Sequence, residues 1–127
     1  MILLYIAVGG GIGAVARYGL GGWVQDRSGF LFPWGTFVVN VLGSLLIGFS
    51  FQYMEAVRLT PETRAFVTVG LLGAFTTFST FSYETVKLLE DGALFRAALY
   101  SLASLLLGVI AVYAGMLAAG LIVHARG

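Results

Sequence analysis

Four apolar runs, each long enough to cross a hydrocarbon layer, take up nearly all of this chain and leave only short polar intervals between them. They cover about residues 2–24, 33–53, 61–89 and 94–123. A bilayer core of roughly 30 Å needs about 20 apolar residues per helix. A chain of 127 residues therefore holds four spans, with no room for an extramembrane domain. Only 10% of its residues are charged, against about 25% in soluble domains. The N-terminus lacks a basic stretch and stays apolar past the length of a signal core, so no cleavable signal is expected. The expectation is an all-α, multi-pass membrane protein, with residues 1–127 forming a single four-span domain.

Within the third run, Gly70 to Tyr83 reads GLLGAFTTFSTFSY. Thr76, Thr77, Ser79, Thr80, Ser82 and Tyr83 crowd hydroxyls into a segment that also carries Gly70, Gly73 and three phenylalanines. A lipid-facing helix has no use for that density. Irregular backbone at membrane depth survives only where protein buries it or where it lines a watery cavity. The stretch fits a helix broken in mid-membrane, whose exposed carbonyls and N–H groups are the usual material of an intramembrane ion site. It also fits a continuous helix whose Ser and Thr side chains bond back to carbonyls one turn earlier. Hydroxyl density favours the break.

The other spans supply company for this segment. In span one, Gly10, Ala14, Arg17 and Gly21 recur at four, three and four residues, a small-residue stripe that lets helices approach closely. Gly11 to Ala16 loosely matches a dinucleotide fingerprint, but no second βαβ unit or suitably spaced acid follows, and a glycine-rich membrane helix accounts for it. Arg17 is costly inside a span and is expected to face the bundle interior or a water-filled vestibule; the alternative is a side chain snorkelling to the interface. Residues 25–32 read as a polar turn, and Pro33 suits the first turn of span two. Asn40, Ser44 and Gly48 share one face of that span. Asn40 either lines a pore or bonds a neighbouring helix.

Thr60-Pro61-Glu62 reads as N-cap, first helical residue and first-turn acid, opening span three. Glu84 lies one turn beyond Thr80 and reads either as a half-buried partner for a neighbouring hydroxyl or, by default, as the start of a solvated end with Lys87, Glu90 and Asp91. Asp91-Gly92 separates spans three and four. In span four, Ser101, Ser104, Gly108, Ala111, Gly115 and Ala118 form a packing seam, with Tyr100 one turn before Ser104. His124 is terminal and reads as solvated.

Charge decides partners and orientation. A net charge of +1 without a Lys/Arg cluster leaves no footprint for nucleic acid, and the absence of cysteine excludes disulfides and thiolate sites. Arg58, Arg64 and Arg126 lie on one side of the membrane, and Arg27, Lys87 and Arg96 on the other. Orientation follows Lys/Arg asymmetry, and here the two sides balance. Two copies could insert in opposite senses and pair as an antiparallel, dual-topology homodimer.

The Gly-x-x-Thr-Thr-Phe-Ser-Thr-Phe-Ser element at Gly73 to Ser82, the Gly-Thr-x-x-x-Asn pattern at Gly35, Thr36 and Asn40, and the arginine of span one resemble the Fluc (CrcB) family of fluoride channels. The resemblance covers essentially the whole chain. It implies a passive, selective fluoride channel in the cell's inner membrane, built as an antiparallel homodimer with two pores and a structural Na+ at its centre. It further implies that the Na+ is held by backbone carbonyls of Gly73 and Thr76 from both copies, and that Phe78 and Phe81 are pore phenylalanines. Asn40 would donate to fluoride, Ser79, Thr80, Tyr100 and Ser104 would form a polar track, Arg17 would sit in the vestibule, and Glu84 would be a partner of the track. Ala74 stands where some relatives carry a second glycine. The resemblance suits the ion: fluoride is small and strongly hydrated, and both aromatic edges, which are partly positive, and hydrogen-bond donors can replace its water.

Other functions fit less well. A small proton-coupled exporter of cationic compounds, also four-span and dual-topology, needs an embedded carboxylate. Spans one, two and four have none in their interiors, and Glu84 comes late in span three. A membrane scaffold accounts for the small-residue seams but not for the hydroxyls. An enzyme is disfavoured, since no nucleophile–base or metal constellation is present.

Overall fold

Long apolar segments with no water to bond their backbones must become helices. The computed structural model, which describes residues 1–126, is all helical, with no strand among those residues. Helices α1 (Ile2–Ser28), α2 (Trp34–Ala56) and α6 (Leu94–Arg126) are unbroken. The third span is built in pieces: α3 (Pro61–Ala65), a π-helical segment (Phe66–Leu72), α4 (Gly73–Phe75) and α5 (Phe78–Glu90). Taking Pro61–Glu90 as one unit, four helices are long and apolar enough to span a membrane.

Local chemistry sets the ends. Thr60 caps α3, its hydroxyl accepting the Thr63 N–H at 3.2 Å, and Pro61 follows where its missing N–H costs nothing. At the other end, Gly92 N–H donates to Leu89 O and Ala93 N–H to Leu88 O, the paired bonds of a Schellman turn. Gly92 takes the left-handed φ of 76° that this turn requires. The first connection differs from the sequence expectation: α1 runs on through Ser28, so Gln25 is helical and the turn shrinks to residues 29–33. Pro33 accordingly serves as N-cap of α2, one position before its first turn.

Small residues set the packing. On the α2–α6 face, a side-chain carbon at Gly48 would strike the Val112 carbonyl, and one at Gly115 would strike the Leu45 carbonyl. Such backbone contact is how helices associate in lipid, where apolar burial supplies no drive. Ala111, Gly115 and Ala119 are the buried positions, so the seam continues in steps of four to Ala119 and leaves the expected Ala118 exposed. The stripe on α1 is also displaced. Gly9 and Gly13 are buried, with no space for a side chain against Phe66 and Leu71 of the π-helical segment, whereas Gly10 only grazes Gly70. Three consecutive glycines, Gly9 to Gly11, offer three registers, and the one that brings Gly13 and Arg17 into line in steps of four is adopted. Leu102, Leu105, Leu106 and Val109 of α6 are exposed and face outward.

Candidate functional site

The site begins where span three loses its helix. Thr76 (φ −87°, ψ 157°) and Thr77 (φ −148°, ψ 112°) are extended, between α4 and α5. A helix end leaves carbonyls without partners, and a helix start leaves N–H groups likewise. The neighbouring chain supplies those partners individually. Asn40 of α2 donates from Nδ2 to the Thr77 carbonyl at 3.0 Å and accepts the Thr77 N–H on Oδ1 at 2.8 Å. One amide thus replaces both backbone bonds of Thr77. Of the two readings open for Asn40, the bond to a neighbouring segment is present; its second N–H is an additional donor. Thr77 in turn caps α5, its hydroxyl accepting the Thr80 N–H at 3.2 Å and donating to the Thr80 hydroxyl at 2.9 Å.

Arg17 comes to the same place from α1. Its Nε donates to the Ala74 carbonyl at 3.1 Å, so the guanidinium lies against the last turn before the interruption. Charge and helix end are complementary there, because exposed carbonyls carry partial negative charge. Leu72 O accepts both the N–H and the hydroxyl of Thr76. Gly73 is exposed, and neither its carbonyl nor that of Thr76 accepts a side-chain hydrogen bond among the described residues.

Arg17 also lines an open cleft of about 880 Å³, together with Thr36, Thr77, Thr80, Glu84 and Lys87. Glu84 does not belong to a solvated end, as its position near Lys87 and Asp91 suggests. It is half-buried and accepts a 2.5 Å bond from the Thr36 hydroxyl of α2. The difference is depth and not rotation: Thr80, Glu84 and Lys87 all line the cleft from one face of α5, but Glu84 is half-buried within reach of α2, while Lys87 is exposed and pairs with Glu90 at 3.6 Å. Thr36 is a site residue that sequence reasoning quoted only as part of a motif; nothing local signals a bond across 48 positions.

Behind this pair stands an aromatic ladder. Phe78 and Phe81 have ring centroids 5.9 Å apart, Phe81 lies 5.1 Å from Tyr100, and Phe32 meets Tyr100 edge-on at 5.4 Å. Tyr100 is fully buried at 0% exposure, its hydroxyl beside Thr36 and Glu84 but without a well-aligned hydrogen bond; the Ser104 hydroxyl is buried and without a protein partner. Two orphan hydroxyls in one small bundle are unusual, since buried polar groups are almost always paired. Phe78, by contrast, is 79% exposed, and Ser79 is exposed beside it.

Of the residues singled out in the sequence, Arg17, Thr80 and Glu84 share the cleft, Asn40 holds the interruption, and Phe81 and Tyr100 are in ring contact. Ser104 is not connected to the cleft by any hydrogen bond. Ser82, Thr85 and Ser101 bond back to Phe78, Phe81 and Ala97 carbonyls, so part of the hydroxyl density is ordinary helix back-bonding.

The family model described as CrcB-like protein, Camphor Resistance (CrcB), matches residues 4–116. A protein of Geobacter sulfurreducens named fluoride-specific ion channel FluC is 51% identical over 118 residues, covering 92% of this chain and 95% of its own. Proteins of the same name from Thermus thermophilus (47% identical, 94% of each chain) and Acidobacterium capsulatum (44% identical, 97% and 99%) are similarly related. A four-span helical membrane protein with matches of this extent belongs to the CrcB family.

Proposed function

We propose that this chain is a passive, selective fluoride channel of the cell membrane, and not an enzyme. The observation that carries the reading is the inward-facing Thr36–Glu84 pair in the cleft that Arg17 also lines, with the buried Tyr100 hydroxyl beside it and the buried Ser104 hydroxyl one turn further along α6, neither in a well-aligned hydrogen bond. A strongly hydrated anion crosses a low-dielectric bundle only if fixed donors replace its water. Arg17 raises the local anion concentration at the mouth. Thr80, Tyr100 and Ser104 then offer hydroxyls, Asn40 its free N–H, and Phe78 and Phe81 their electropositive ring edges. Ser79, exposed beside Phe78, completes the track only when another surface covers it.

That surface is a second copy. Phe78 and Gly73 are exposed on the monomer, and the balanced Lys/Arg distribution lets two copies insert in opposite senses. An antiparallel, dual-topology homodimer would bring the two broken third spans face to face at mid-membrane. The exposed carbonyl of Gly73 and the extended backbone of Thr76 fit a hard alkali cation, which takes uncharged oxygen donors. Two such donors from each copy would hold a structural Na+. When bound, that cation supplies positive charge and a brace at the centre of the dimer.

The test is fluoride efflux from liposomes holding only this protein. Fast, uncoupled efflux with chloride retained is the expected result; no fluoride efflux from correctly inserted protein would overturn the reading. Cross-linking through a single cysteine at Gly73 should trap dimers, and a C-terminal reporter should appear on both faces of the membrane.

A further inference from the structure

We propose that Gln25 is a positioning residue for the fluoride path, acting through Thr36 and Phe32. The inference rests on the channel reading above. Gln25 lies in the last turn of α1, in a stretch the sequence reads as turn, and its amide is fully committed. Nε2 donates to the Gly29 carbonyl at 2.5 Å and to the Phe32 carbonyl at 3.1 Å, while Oε1 accepts the Gly35 N–H at 3.0 Å. Two carbonyls and one N–H leave only one orientation for the amide.

The need for this clamp follows from the start of α2. Its N-cap is Pro33, which offers no side-chain acceptor, and the first N–H groups of a helix are orphans. Gln25 supplies the missing acceptor from the neighbouring helix, at the second residue of α2. The next residue is Thr36, whose hydroxyl reaches Glu84 at 2.5 Å. Gly35 itself is buried against Gly21, so α1 and α2 touch by backbone beside the clamp. On the other side of the connection, fixing the Phe32 carbonyl fixes the ring that meets Tyr100 edge-on at 85°. One side chain therefore sets the register of a track hydroxyl and the packing of a track tyrosine without itself being needed as a ligand.

The experiment is a double-mutant cycle on the full chain in liposomes. Gln25→Met keeps the shape and removes every hydrogen bond. Its expected effect is a fall in fluoride efflux of roughly tenfold, the equivalent of about one hydrogen bond's misalignment, with dimer yield and chloride exclusion unchanged. The same substitution in a Thr36→Val background should lower efflux by clearly less than about tenfold, because coupled sites are non-additive and only the Phe32 arm remains. An equal fall in both backgrounds would mean general loosening and overturn the proposal, as would unaltered efflux in Gln25→Met. If neither Gln25→Met nor Gln25→Asn inserts as folded protein, the amide serves folding alone and the proposal also fails. Normal efflux in Thr36→Val sinks the channel path drawn here, whereas crippled Thr36→Val with normal Gln25→Met sinks only the role of Gln25.

Discussion

The α2–α6 seam and the interrupted third span are both made of small residues, yet they do opposite things. At the seam, Gly48 and Gly115 let carbonyls of one helix touch the other, and the helices stay continuous. In the third span, Gly70 and Gly73 sit among hydroxyls, the backbone widens into a π-helical segment and then opens at Thr76 and Thr77. Glycine alone does not break a membrane helix. The break needs partners waiting for the freed backbone groups, and here Asn40, Arg17 and the Thr77 hydroxyl provide them. Tight packing and polar satisfaction are separate devices: α2 and α6 use the first alone, whereas α1 joins them on one face, with Gly9 and Gly13 packed closely and Arg17 donating one turn further on.

The comparison can be attacked from either side. The largest effect is expected at the seam: Gly115→Leu should abolish recovery of folded protein, because a side chain there meets the Leu45 carbonyl and the Phe49 backbone; a normal size-exclusion peak would contradict it. Next comes Phe81→Ile, which should reduce fluoride efflux to the background leak while the dimer survives; retained efflux would remove Phe81 from the path. Asn40→Asp keeps the shape but sets a carboxylate oxygen against the Thr77 carbonyl. A loss of about 2–3 kcal/mol in stability is expected, with efflux falling in parallel; a loss of efflux alone would show that Asn40 serves the ion rather than the interruption.

Tyr100→Phe sharpens the contrast further, since it deletes a buried hydroxyl that has no well-aligned hydrogen bond to the protein. Stability should be unchanged or slightly higher, while efflux falls roughly tenfold, about 1.5 kcal/mol for a hydrogen bond to a charged species. A drop in thermal stability would mean that the hydroxyl has a protein partner after all. Smallest is Thr60→Ala, far from the path, which should cost about 1 kcal/mol through loss of the α3 cap and leave efflux intact.

Legibility in the sequence divides along the same line. Span number, the Thr60 cap and the Asp91-Gly92 turn are local, and a few adjacent residues are enough to read them. Register is not local: Gly9, Gly10 and Gly11 are interchangeable until Phe66 and Leu71 are seen against them, and Ala118 and Ala119 differ only by which way α6 turns. Arg17, Thr80 and Glu84 could be singled out one at a time because polar groups are conspicuous in apolar spans. Their meeting in one cleft could not, because it depends on three helices. Glu84 illustrates the limit: the charged residues that follow it favour a solvated end, and of its two readings only the fold selects the hydroxyl partner, Thr36. Gln25 was hidden for a related reason, since a residue read as turn gives no hint that its side chain caps another helix.

The opening at Thr76 and Thr77 also bears on how the protein gets into a membrane. Helix α5 has 13 residues, too few to cross alone, and the part before the opening is similarly short. Only the whole of Pro61–Glu90, 30 residues, is long enough to be recognised as a span. Its hydroxyls do not cost it that recognition, since its mean hydropathy of 1.4 equals that of the unbroken α1. Chain order helps: Asn40 is synthesised before Thr77, and the amide that satisfies the opened backbone is already in the bilayer when that backbone arrives.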